Sequence, residues 1–113
     1  TPQAVATGDV ARGIRMFERV NTRVLGIVEN MSSLVCPHCS EEVDVFGQGG
    51  VDRLGKEMDL QVLGRIPLEP SVRISGDEGN PTVISNPDSP AAESLRDLTD
   101  VVLGGLNIAP ETY

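Results

Sequence analysis

Two thiols set two residues apart, Cys36 and Cys39, flank Pro37 and His38, and no other residues in this 113-residue chain have types and spacing that so directly suggest chemistry. A Cys-x-x-Cys turn converges two sulfurs on one point, which Zn–S and Fe–S bonding both require. A tetrahedral set needs four ligands, and the chain has no further cysteine. Two copies meeting on a two-fold axis would pool four sulfurs. Spacing does not separate zinc from iron–sulfur, and two other readings stand beside them: incidental exposed thiols, and a thioredoxin-like dithiol. The dithiol needs its first cysteine at a helix N-terminus, where the dipole lowers the thiol pKa. Here Cys39 is followed by Ser40-Glu41-Glu42-Val43-Asp44-Val45. Its alternating valines predict a short extended return, and its acids would raise a thiol pKa. His38, the single histidine, reads as the exposed middle of the turn. Glu41, Glu42, Asp77 and Glu78 read as solvated loop acids.

The elements that must position this loop follow from periodicity and punctuation. Thr1-Pro2-Gln3 predicts a helix start, and Val5/Ala6, Val10, Ile14 and Phe17 carry an apolar helical face to about Arg19. Arg23 to Glu29 predicts a strand buried on both faces. Asn30 to Val45 is loop-like, Gly47 to Gly50 leads into a helix over Val51 to Met58, and Gln61 to Ile66 is a second strand stopped by Pro67. From Pro67 to Pro90 prolines and glycines leave room for a turn of helix at Ser71–Ile74 and an extended piece at Thr82–Ser85. Ser89-Pro90 opens a last helix with Leu95, Leu98, Val102 and Leu106 on its face, ending near Gly104-Gly105 or one turn later. Helices alternating with apolar strands predict an α/β fold with a mostly parallel sheet. Two strands rarely make a self-sufficient parallel sheet, so further strands are expected from an N-terminal half or another copy.

Composition excludes several classes. Nine Lys and Arg oppose 17 Asp and Glu, a formal charge of −8 that repels phosphate backbones. Three aromatics are too few to stack a run of unpaired bases, so nucleic acid is not an expected partner. No apolar run approaches the roughly 20 residues of a membrane span, and no secretory signal pattern opens the chain. Two closely spaced cysteines suit a reducing compartment, taken as the cytoplasm.

Four blocks occur in order: Leu25-Gly26-Ile27-Val28-Glu29-Asn30-Met31-Ser32, then Cys36-Pro37-His38-Cys39, then Phe46-Gly47-Gln48-Gly49-Gly50, then Leu63-Gly64-Arg65-Ile66-Pro67-Leu68. With Thr1-Pro2-Gln3 before them and Gly76 to Pro81 and Pro87 to Pro90 after, the chain resembles the C-terminal half of the Mrp/ApbC family. These are iron–sulfur cluster carrier ATPases of the deviant-Walker, MinD-like P-loop class. The resemblance implies that residues 1–113 are the C-terminal part of a P-loop NTPase (Rossmann-like) domain, with a cluster-binding loop at about 30–46 and the phosphate-binding half absent. It implies a 4Fe-4S cluster shared between two subunits through Cys36 and Cys39, transfer to apo iron–sulfur proteins, and ATP as the cofactor of the full-length parent. The partner across the loop would be a second copy or a paralogue. Asn30 matches the asparagine that reads the adenine edge, and Pro67 and Leu68 match the segment flanking the ring. On type and place alone, Asn30 reads instead as a turn residue capping the strand. No Gly-Lys-Ser or Gly-Lys-Thr occurs, so this chain by itself is expected not to hydrolyse ATP. Ser40 stands where the family commonly has glycine, and Glu69 where aspartate is usual. A zinc-stabilised interaction module and a dithiol oxidoreductase remain the alternative functions.

Overall fold

The structure is a computed structural model and describes residues 1–107. Tyr113 and any extension of the last helix beyond Asn107 lie outside the described residues. In chain order the elements are α1 (Ala4–Arg19), β1 (Ile27–Asn30), β2 (Leu34–Val35), β3 (Glu42–Val43), α2 (Gly50–Met58), β4 (Val62–Ile66), α3 (Pro70–Asp77), α4 (Thr82–Ser85) and α5 (Pro90–Gly105). β1 and β4 pair in parallel, with Glu29 opposite Arg65 and Asn30 opposite Ile66. Connecting parallel strands requires a long crossover, and α2 supplies it. β2 and β3 form a separate antiparallel hairpin inside that crossover.

Helices cover both faces of the parallel pair. α2 packs on β1 and β4 with α1 beside it, while α5 packs on β4 and carries α4, which in turn holds α3. The core on the α2 side is Ile14, Ile27, Val51 and Leu54, joined by Ala11, Met58, Leu60 and Val62. Burying each of the larger side chains is worth about 1.5–3 kcal/mol. On the α5 side Ala91 and Ala92 are fully buried. Ser89 caps this helix by accepting the Ala92 N–H at 3.1 Å, as Ser89-Pro90 foretold.

Four expectations need correction. α1 begins at Ala4 with Gln3 in the cap position and no side-chain cap bond, because Pro2 is buried against Gly50 instead of opening the helix. β1 starts at Ile27, and its burial alternates instead of being continuous. Val28 is 39% exposed because β1 has a strand on one side only among the described residues. For the same reason Val10 and Phe17 of α1 border an open apolar groove of about 550 Å³ with Val24 and Val28. Thr82–Ser85 is helical: the Pro81 carbonyl accepts the N–H groups of Ile84 and Ser85, both at 2.9 Å. Local β propensity loses there to tertiary context.

Candidate functional site

The cysteines occupy the tip of the β2–β3 hairpin. Leu34 stands opposite Val43 and Val35 opposite Glu42. The Cys36 N–H donates to Glu41 O at 2.9 Å, and the Ser40 N–H donates to Cys36 O at 2.9 Å, closing one turn of chain around Pro37, His38 and Cys39. The extended return read from Val43 and Val45 is β3 in part. Closing the turn puts Ser40 at φ +61°. That left-handed conformation costs a residue with a Cβ about 1–2 kcal/mol, a cost glycine would not carry.

Both thiols are free, with Cys36 partly buried and Cys39 exposed. The Cys36 pKa lies below the ordinary thiol value, held down first by the Cys39 N–H, then by the His38 N–H and the Cys39 thiol. Acids nearby in sequence led to the opposite expectation. The Cys39 and His38 N–H groups favour the thiolate, the one opposing cause is desolvation, and the acids do not contribute. Among the described residues no group of three or more His, Cys, Asp or Glu side chains could hold a metal ion. The hairpin tip presents two free thiols, and no third side chain of these types joins them among the described residues.

Asn30, Pro67 and Leu68 meet at the C-terminal mouth of the parallel pair, the end where α/β sheets collect ligands. Ser32 directs both its N–H (3.0 Å) and its Oγ (3.2 Å) at Ile66 O, and the Leu68 N–H donates to Ser33 O at 2.7 Å. The root of the hairpin is thus stitched to the segment carrying Pro67 and Leu68. Asn30 Oδ1 accepts the Met31 N–H at 2.9 Å, so the turn-capping role is realised through the amide oxygen. Glu69 is a structural cap: one carboxylate oxygen accepts the Ala91 N–H at 2.8 Å and the other the Ser71 hydroxyl at 3.2 Å.

Sequence reasoning missed one constellation. Glu29, 5% exposed, is ion-paired with Arg65, which also reaches Asp52 of α2 at 2.6 Å. Asp52 foremost, then Glu29, holds the Arg65 guanidinium above its ordinary pKa. A detectable signal was present: each apolar strand carries one charge of opposite sign at its penultimate position.

Parallel strands between helical layers, with loops converging at their C-terminal ends, place the chain in the α/β class. The MinD cell-division ATPase of Pyrococcus furiosus superposes with a TM-score of 0.71 at 20% identity, over 91% of this chain and 39% of that one. A nucleotide-binding protein of Archaeoglobus fulgidus, solved in complex with ADP, superposes with a TM-score of 0.63 at 31% identity, over 82% of this chain and 37% of that one. The fold is that of MinD-like P-loop NTPases. The ParA family model described as NUBPL iron-transfer P-loop NTPase matches residues 1–103, and the chain belongs to that family. An Arabidopsis thaliana protein named iron-sulfur protein required for NADH dehydrogenase, mitochondrial, is 47% identical over 94% of this chain and 34% of its own length. The Escherichia coli K12 iron-sulfur cluster carrier protein is 45% identical over 94% of this chain and 29% of its own length. The chain spans about a third of the length of these relatives.

Proposed function

We propose that these residues are the cluster-holding, base-side portion of an iron–sulfur carrier whose phosphate-binding half lies upstream. Cys36 and Cys39 take a 4Fe-4S cluster as cargo between two subunits, a second copy or a paralogue, and deliver it to apo iron–sulfur proteins. The observation that carries this reading is the hairpin tip: two free thiols, with backbone donors directed at Cys36 that favour the thiolate a metal requires. Soft thiolates suit iron–sulfur clusters. Two ligands per subunit at a solvent-facing tip also leave the cluster open to exchange with an acceptor's thiols, which release requires. The names of the relatives support the cargo assignment.

ATP binds the longer protein, with Asn30, Pro67 and Leu68 flanking the base; the ADP complex of the Archaeoglobus relative supports this part of the reading. These 113 residues alone do not turn ATP over. No helix among the described residues is long and apolar enough to cross a membrane. The free thiols are consistent with a reducing compartment, which we take to be the cytoplasm. The test is anaerobic reconstitution with iron and sulfide, followed by incubation with an apo iron–sulfur acceptor. Cluster uptake and transfer, both lost in Cys36→Ala and Cys39→Ala, are expected. Stoichiometric zinc without cluster uptake would instead make the hairpin a zinc-stabilised interaction module, and disulfide exchange with a peptide would make it an oxidoreductase.

A further inference from the structure

A recess of about 480 Å³ separates the strand mouth from the cysteine hairpin, and Arg65 is the single base that lines it. Four carboxylates share the recess: Glu29 and Asp52 on the body, Glu42 and Asp44 on the returning arm of the hairpin. Between Val24 and Asp52 the sequence contains no lysine or arginine, so the hairpin brings no counter-charge of its own. Neither hairpin strand has more than marginal contact with any element except the other strand. What fixes the hairpin is a clasp of hydrogen bonds, Ser32 to Ile66 O and Leu68 to Ser33 O, with Gln48 donating to Asp44 on the exit side.

We propose that Arg65 is the positioning residue of the cysteine hairpin: by neutralising Glu29 and Asp52 it suppresses their repulsion of Glu42 and Asp44 across the recess and so keeps the clasp closed. Arg65 bonds both body carboxylates directly, yet one positive charge between two negative ones leaves the body side net acidic. The hairpin is therefore docked against a residual repulsion, and its attitude, with that of Cys36 and Cys39, depends on the charge at Arg65. The importance of that attitude rests on the cluster-carrier reading, but docking itself is measured without cluster or nucleotide.

Amide hydrogen exchange on the full chain tests this, comparing the clasp amides of Ser32 and Leu68 with the ladder amides of β1 and β4. Arg65→Met should accelerate clasp exchange about fivefold relative to the ladder, and Arg65→Lys should stay close to wild type. Glu42→Gln, which leaves the Gln48–Asp44 bond in place, should slow clasp exchange in the wild-type background and bring the Arg65→Met chain back toward wild type. Should Arg65→Met, by leaving buried Glu29 without its counter-charge, prevent folding, the Glu42→Gln chain decides alone. Slower clasp exchange there supports the proposal, and unchanged or faster exchange overturns it. Equal acceleration of clasp and ladder in Arg65→Met, without recovery on neutralising Glu42, overturns it as well. Loss of cluster binding in the cysteine variants would leave these exchange results standing, so the two readings fail separately.

Discussion

Gly50→Ala isolates one close approach that ties the start of the chain to the glycine turn below the hairpin. A Cβ built at Gly50 falls 2.0 Å from Pro2 O, 3.0 Å from Pro2 C and 3.4 Å from Pro2 Cα. Heavy atoms must be about 1 Å further apart than that shortest contact, and the obstacle is backbone of a buried residue, which no rotamer change relieves. Overpacking of this kind costs about 1–3 kcal/mol, and the absence of a flexible neighbour puts Gly50→Ala in the upper half of that range. Gly8→Ala is the matched control. Gly8 lies inside α1 with nothing within 4 Å of its notional Cβ, so alanine there should stabilise by about 1 kcal/mol through helix propensity. Urea unfolding of the three chains should show midpoints displaced in opposite directions at a common slope. At about 4 °C or more per kcal/mol, Gly50→Ala should also melt about 8 °C or more below wild type. A Gly50→Ala chain within about 0.5 kcal/mol of wild type would refute the packing of Pro2 on α2.

Three further outcomes follow from the site. In a Cys39→Ser chain, alkylation of Cys36 should inflect below the pH of an ordinary free thiol, since the Cys39 and His38 N–H donors persist; inflection at or above that pH would remove those donors from the account. Ser40→Gly should stabilise the chain by about 0.5–1 kcal/mol in chemical denaturation by relieving the left-handed strain at φ +61°, and a loss of stability would contradict the closed turn. Glu69→Ala should cost about 1–2 kcal/mol by uncapping Ala91 at the start of α5, with much of it regained in Glu69→Gln, which keeps an acceptor oxygen; equal losses would point to charge instead of capping.

The helices α1, α2 and α5 and the two parallel strands were legible because their signals are local, whereas α3 (Pro70–Asp77) was read only as a single turn at Ser71–Ile74. Ser89-Pro90 caps α5 as written, and Pro67 ends β4 as written. Misreadings arose where a distant partner decides the conformation. Val28 looks like core in the run Val24 to Val28, yet burial on its second face depends on a neighbouring strand that the described residues do not contain. Thr82 to Ile84 carry β-branched side chains and still form a helical turn, because its packing against α3 and α5 overrides a weak propensity. The ion triad joins residues 29, 52 and 65, and only the parallel register brings the first and last together. The thiol pair was plain in the sequence, but the direction of the Cys36 pKa was not. It is set by the Cys39 and His38 N–H groups, neighbours of the sulfur in the turn that the Ser40 N–H closes on Cys36 O.

Native mass spectrometry of the anaerobically reconstituted chain decides whether Cys36 and Cys39 hold a cluster between two chains. A two-chain species carrying one 4Fe-4S cluster is expected, absent in Cys36→Ala and in Cys39→Ala, with the cluster-free chain remaining of lower mass. A cluster held by a single chain, or zinc bound stoichiometrically with no iron taken up, would contradict the assignment of Cys36 and Cys39 as half of a shared iron–sulfur site.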